Sequence, residues 1–362
     1  MQSGLAPPAM SAVSAASLQA YARDRLRAAS AYSKGRLLRR DFRLARIDMT
    51  VWFASKAFAD LCDRTLVERK DEEPPAAHAQ VYAMDAEADG WEPPARWDER
   101  TGFSSREFDR ILAECDQRGF YHHDAPSWQF YDRATAIGVQ TLPAQLAMPP
   151  WEFGSPLRLF LHWAYAAAGM RLTHAATLGL NGRGALIAGP SGSGKSGTAL
   201  AGLLNGLDSV GDDYVLVEDG PSLMAHSVFA MLKQDREGFR RAGVAIAELD
   251  ACEVNWRGKI ELDAARLCAR GLASRMEVHA LLLPVIARAR RTEVERIASH
   301  EAALALAPSS VFQLPGDATE GFRFFAGIAK RLPAFRVKLS EDPVEIAGAI
   351  GSFLEGTGRR VD

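Results

Sequence analysis

The sequence predicts an α/β protein of two domains, a smaller α+β domain followed by a larger one in which short apolar strands alternate with helices. Three observations carry that prediction. The chain has 362 residues, enough for two domains. Its first 150 or so residues mix strand-like and helix-like segments with two charged, Pro-rich stretches. From Trp151 onward, one apolar strand runs into an amphipathic helix through a Gly- and Ser-rich loop, Gly189 to Ser196. The boundaries expected are a disordered segment 1–15, an N-terminal domain 16–150 and a second domain 151–362.

Residues 1–15 are small, contain Pro7-Pro8 and lack periodicity. From Leu18 to Arg46 the chain reads as a helix leading into a strand. DMTVWFAS, with its β-branched and aromatic residues, reads as a strand, and KAFADLCDRTLVE as a helix. The stretches 69–77 and 89–98 read as loops. Ser104 and Glu107 have capping-box spacing ahead of the helix EFDRILAECDQ, with Gly119 as its stop. WQFYDRATAIGVQTL supplies one or two further strands.

In the second domain, Trp151 to Gly169 is a helix candidate. THAATLGL and ALIAG read as strands joined by a turn at Asn181-Gly182. The helix SGTALAGLLNGL follows, then DSVGDD and YVLVE as a strand pair. HALLLPVIA is a strand, and EAALALA and DPVEIAGAIGSFLEG are helices. There is no internal repeat.

Hydrophobic residues make up 48% and charged residues 24%, with a formal net charge of −2. Such a balance excludes a general polycation for nucleic acid. Cys62, Cys115, Cys252 and Cys268 form no C-x-x-C pair and read as reduced thiols of a cytoplasmic protein. No apolar run is long enough to span a bilayer, and the N-terminus lacks the basic and apolar regions of a signal peptide.

Residues 189–196 read Gly-Pro-Ser-Gly-Ser-Gly-Lys-Ser, a full G-x-x-x-x-G-K-[ST] match. Gly189, Gly192 and Gly194 let backbone N–H groups converge on phosphate oxygens. Ser191 and Ser193 are small enough to pass them. The helix beginning near Ser196 and Gly197 adds its positive end. Lys195 bridges the outer phosphates, and Ser196 offers a hydroxyl to magnesium. The preceding strand and following helix are the context such a loop requires. ATP and Mg2+ are the expected ligands.

Fifteen residues past Ser196 begins Gly211-Asp212-Asp213, ahead of the apolar run from Tyr214. Two adjacent carboxylates near a triphosphate can divide labour, one holding the metal and the other accepting the proton of an attacking hydroxyl. Gly-Asp-Asp is also an ordinary turn composition. His174 is expected on the strand before the one that leads into the phosphate loop, where it is either a core residue or a neighbour of the phosphates.

The stretch from His174 to Glu218 resembles the catalytic core of the HPr kinase/phosphorylase-like proteins. These pair a His-bearing strand, a phosphate loop and an Asp-Asp strand start in the same order. His174 precedes Lys195 by 21 residues and Asp212 follows it by 17. The resemblance implies a domain similar to the phosphoenolpyruvate-carboxykinase type. It implies Asp212 as proton acceptor, Asp213 with Ser196 at the metal, and His174 in support of the acid–base site. Two departures stand out: Gly197 replaces an acidic residue after the loop serine, and the family's Gly-rich protein-docking segment is missing. Related modules phosphorylate other acceptors, including the C-terminal Ser of lasso-peptide precursors and the primary hydroxyl of ceramide.

Two features bear on the acceptor. Arg23, Arg25, Arg27, Lys34, Arg36, Arg39, Arg40, Arg43 and Arg46 are opposed only by Asp24 and Asp41, with apolar residues interleaved. This pattern suits a helix on an anionic membrane surface, at the inner face of the membrane. It equally suits a basic helix packed on its own domain. Tryptophans 52, 91, 97, 128, 151 and 163 crowd the first half, either lining a groove for an apolar acceptor or forming core. The expected acceptor is a lipid such as ceramide, the alternative a seryl hydroxyl on a peptide or protein. A non-catalytic nucleotide sensor is a third reading. Lys233, Lys259, Arg288, Arg290 and Arg291 are candidates to neutralise the transferring group.

Overall fold

A computed structural model describes residues 14–32, 34–98, 102–123, 125–144, 152–250, 252, 254–255, 257–316 and 318–356. The chain divides into two compact units. One comprises residues 1–64 and 72–168, the other 65–71 and 169–362. The segment 152–168 therefore packs with the first unit, beyond the boundary expected at 150. The segment expected to be disordered lies outside the described residues up to position 13; Ser14 caps the first helix and Ala15 begins it.

The first unit contains α1 (Ala15–Ala31), β1 (Leu38–Leu44), β2 (Ile47–Phe53), α2 (Lys56–Thr65), β3 (Ala77–Asp85), α3 (Ala86–Asp89), α4 (Ser105–Ala113), β4 (Gln117–His122), β5 (Ser127–Asp132), β6 (Ile137–Leu142) and α5 (Arg158–Ala167). Its sheet has the order β1-β2-β3-β6-β5-β4, parallel only at β2–β3 and β3–β6. Leu18, Ala22, Leu26 and Ala29 of α1 join Phe108, Ile111, Trp128 and Phe130 in one buried cluster. The apolar stripe of the basic helix is thus consumed by its own domain. Trp91, Trp97, Trp128 and Trp163 are buried as well, and Trp128 Nε1–H donates to the Ala95 carbonyl at 2.7 Å. Trp151 lies outside the described residues.

Three local expectations need correction. Gly119 lies within β4 and does not stop α4; the left-handed residue after that helix is Asp116, at φ +57°. A Cβ on Gly119 would meet Leu112 at 2.4 Å, so packing selects the glycine. The helix expected over 151–169 is regular only from Arg158 to Ala167. KAFADLCDRTLVE leaves the helix after Thr65.

The second unit contains β7 (Arg171–Thr173), β8 (Ala176–Leu180), β9 (Arg183–Ile187), α6 (Lys195–Leu204), β10 (Val215–Asp219), β11 (Leu223–His226), β12 (Met231–Asp235), α7 (Arg236–Arg241), α8 (Ile246–Asp250), β13 (Lys259–Asp263), α9 (Ala264–Leu267), β14 (Arg275–Ala289), β15 (Glu293–Ile297), α10 (Ser299–Gln313), α11 (Ala318–Arg331), β16 (Ala334–Ser340) and α12 (Pro343–Gly356). The long strand β14 organises its main sheet, pairing in parallel with β9 and β16 and antiparallel with β11. Asn181 and Gly182 turn β8 into β9 with φ of +52° and +77°, the double positive φ of a type I′ hairpin. DSVGDD is not a strand; it follows β8 through single contacts such as the Gly179–Asp208 bridge. On one face Ile187, Ala199, Leu282, Leu339 and Ile350 pack β9, β14 and β16 with α6 and α12. On the other, Leu186, Val215, Leu281, Leu306 and Phe325 pack the sheet with α10 and α11. The Gly- and Ser-rich loop 189–196 begins just past the end of β9, at the carboxyl edge of parallel strands.

A candidate phosphoryl-transfer site

The loop after β9 has the backbone its sequence demands. Gly189, Gly192 and Gly194 hold φ of +148°, +81° and +108°, a region nearly closed to other residues. Gly194 also lacks room for a side chain, since a Cβ would lie 2.7 Å from Leu339 Cδ1. Ser191 is exposed and Ser193 partly buried. Lys195 opens α6 and is 7% exposed. Its ammonium turns back to the loop, donating to the Gly189 and Pro190 carbonyls at 2.8 and 3.1 Å. Burial pulls its pKa below the ordinary lysine value, Asp212 and Asp213 oppose that, and Lys259 reinforces it. A Cβ on Gly197 would come within 3.2 Å of Gln234 Nε2, so a side chain of β12 occupies the space beside it.

The aspartates are delivered by the segment beside β8. Thr177 N–H donates to the Gly211 carbonyl at 3.1 Å, and Val210 N–H to Thr177 Oγ1 at 2.9 Å. The two carboxylates then diverge. Asp212, 3% exposed, accepts from Ser196 Oγ at 3.0 Å. Burial and the neighbouring Asp213 charge push its carboxyl above the usual range, against the hydrogen bond from Ser196. Asp213 sits at φ +70°, and Tyr214 N–H closes onto the Asp212 carbonyl at 2.9 Å, a γ-turn. Its Oδ2 receives Lys233 Nζ at 2.8 Å and its Oδ1 faces His174 Nε2 at 3.2 Å. Burial opposes ionisation there, yet Lys233 and His174 outweigh it and hold the carboxyl well below the usual range.

His174 is not on a strand. It occupies the break between β7 and β8, where Ala175 N–H bonds to the Thr173 carbonyl at 2.9 Å. Its N–H donates to Ser310 Oγ at 3.1 Å, and its Nδ1 lies 3.2 Å from Gln313 Nε2. The ring nitrogen that faces a carboxylate carries a proton, here Nε2. Nδ1 then accepts from Gln313, whose Oε1 is left to accept the Tyr214 hydroxyl at 2.7 Å. Tyr214, Ser310 and Gln313 have no sequence signal; Gln313 lies 139 positions from His174.

The structure therefore brings Lys195, Ser196, Asp212, Asp213 and His174 together, but pairs them differently from expectation. The hydroxyl of Ser196 meets Asp212, where Asp213 was expected, and His174 supports Asp213, not Asp212. The residues fit a divalent cation at Ser196 and Asp212: a hydroxyl and a buried acid that ionises reluctantly by itself. Among the described residues no cluster of three His, Cys, Asp or Glu side chains could cage an ion. Of the candidate cations, Lys233 is in the site; Arg288, Arg290 and Arg291 are exposed.

No protein-family model matches the chain, and no curated protein does. Among solved structures it is similar to the Hpr(Ser) kinase/phosphatase from Coxiella burnetii. The match has 15% identity and a TM-score of 0.28, and covers 52% of this chain and 95% of that one. Likeness at that level carries no inference about chemistry, which rests on the residues above. Among the described residues no helix is long and apolar enough to cross a membrane.

Proposed function

We propose that the chain is an ATP-dependent phosphotransferase that moves the γ-phosphoryl group onto a hydroxyl acceptor. The observation that carries this reading is the pair of unlike carboxylates beside a complete phosphate loop. A nucleotide sensor needs the loop, but no second carboxylate oriented by His174 and held ionised by Lys233.

In this reading the loop amides and Lys195 bind the phosphates, and Ser196 with Asp212 holds magnesium. Magnesium there neutralises phosphate charge and fixes phosphate geometry. Asp213 accepts the hydrogen bond of the acceptor hydroxyl and takes its proton as the acceptor oxygen bonds to Pγ. The bond from Pγ to the bridging oxygen of ADP breaks in the same step. A carboxylate with a low pKa suffices, because the transition state is loose and the proton leaves late. His174 Nε2–H orients Asp213. Titration alone would favour Asp212 as base, since its pKa is raised. We assign the base to Asp213 because Asp212 accepts from Ser196, the serine given to the metal in this reading.

For the acceptor, a lipid such as ceramide and a seryl hydroxyl both remain hypotheses for experiment. The two features that favoured lipid have another use: α1 and the described buried tryptophans build the core of the first unit. Arg39 and Arg40 pair with Asp41 and Asp63 at 2.8 and 3.1 Å, which reduces their claim on a membrane. The test is incubation with γ-labelled ATP and magnesium beside a lipid extract and, separately, a protein lysate. Label should enter a covalent product in one arm with the wild type and in neither with Lys195→Ala. Label in neither arm with the wild type would remove the reading.

A further inference from the structure

The antiparallel ribbon of β12 and β13 has two unlike faces. Leu232, Ile260 and Leu262 enter the cluster of Leu200, Leu203 and Phe239 that backs α6. Side chains alternate along a strand, and Lys233 pairs with Glu261 and Asp235 with Lys259 across the ladder. Those four residues therefore share the opposite face, from which Lys233 reaches Asp213.

Three of the four are committed. Lys233 is bound to Asp213 and lies 3.9 Å from Glu261. Glu261 accepts from Asn255 Nδ2 at 3.1 Å. Asp235 caps α7 by accepting from Gly238 N–H at 2.6 Å. Lys259 differs. Its backbone is fixed twice, by N–H donation to Asn255 Oδ1 at 3.1 Å and by its carbonyl accepting from Asn255 N–H at 2.7 Å. Its ammonium has no hydrogen-bond or ion-pair partner among the described residues. Lys259 lies one same-face step beyond Lys233 along the ribbon, at the end where Gln234 comes within 3.2 Å of a Cβ built on Gly197, and so beside the start of α6.

Two ammonium groups brought near each other repel unless an anion lies with them. Lys195 enters from the start of α6 and Lys259 from the ribbon, so an anion seated on the loop would meet both. We infer that Lys259 binds the terminal phosphoryl oxygens of the nucleotide and neutralises the charge of the group in transfer. This rests on the phosphoryl-transfer reading and names the cation that reading requires. If Lys259 holds the terminal phosphoryl oxygens alone, its effect depends on the third phosphate.

The experiment compares calorimetric binding of AMPPNP and ADP, each with magnesium, to the wild type, Lys259→Gln and Lys259→Arg. A charged hydrogen bond of this kind corresponds to roughly a tenfold to hundredfold change in affinity. Lys259→Gln should lose about that much AMPPNP affinity while ADP stays within about twofold, and Lys259→Arg should recover most of the loss. Retained ADP binding also shows that the variant is folded. Equal loss for both nucleotides, or no loss for either, overturns the assignment of Lys259 and leaves the phosphate-loop reading intact. A wild-type protein that binds neither nucleotide removes the phosphoryl-transfer reading and this assignment together.

Discussion

His174 and Asp213 face each other across 3.2 Å from the centres of two three-residue turns. Antiparallel pairing of β7 with β10, Thr173 opposite Val215, sets those turns side by side. Asp213 holds a left-handed φ of +70°, which costs a residue with a side chain roughly 1 kcal/mol or more. The strain persists because His174 and Lys233 grip both carboxylate oxygens.

The two aspartates should affect stability in opposite directions when no metal is present. Asp213 has a depressed pKa, so its contribution is present above the ordinary carboxylate value and is lost as pH falls through the folded one. Asp212 has a raised pKa, so its contribution is lost as pH rises through the folded value. At neutral pH in chelator, Asp213→Asn should cost about 2 kcal/mol and lower Tm by roughly 4–8 °C. Asp212→Asn should raise Tm. Calorimetric melting from pH 7 downward checks both, and the deficit of Asp213→Asn should shrink toward acid.

Gly194→Ala places a Cβ 2.7 Å from Leu339 Cδ1 at a φ of +108°. The positive φ is strained with a side chain, and Leu339 or the loop must give way, at a cost of about 1–3 kcal/mol. Nucleotide affinity should fall at least about fivefold. Wild-type affinity in this variant would mean that the loop does not bind phosphate in the observed backbone form.

Gln313→Leu removes the donor to His174 Nδ1 and the acceptor of the Tyr214 hydroxyl. A neutral hydrogen bond is worth about 1 kcal/mol, so kcat should drop about fivefold. Nucleotide affinity should not change, because Gln313 touches neither the loop nor Lys195. An unchanged kcat would show that the His174 ring is oriented without it.

The backbone form of the loop 189–196 was legible because its signal is local: eight consecutive residues carry glycine backbone, lysine and serine together. The hairpin at Asn181-Gly182 was legible for the same reason. The pairing of side chains was not. Which aspartate meets Ser196 depends on a γ-turn at Asp213, and no composition rule marks a left-handed aspartate. Gln313 belongs to α10, and only the packed sheet brings that helix to His174. The basic, aromatic first half was open to two readings, because Arg, Leu and Trp at these spacings describe a membrane helix and a domain core alike. The structure adds that Leu18, Ala22 and Leu26 are buried in the core of their own unit. Lys233 and Lys259 stood among five candidate cations until the ribbon register put them on one face.

The central claim is that Asp213 serves the acceptor hydroxyl while Asp212 serves the metal. The direct measurement is single-turnover transfer of γ-label into the accepting fraction, with Mg-ATP affinity and the magnesium requirement followed in parallel for Asp212→Asn and Asp213→Asn. Asp213→Asn should bind Mg-ATP like the wild type and transfer about a hundredfold or more slowly, the loss expected for a positioned base. Asp212→Asn should need more magnesium and recover part of its rate when magnesium is raised. The reverse pattern, with Asp213→Asn rescued by magnesium and Asp212→Asn inert yet binding normally, would contradict the assignment.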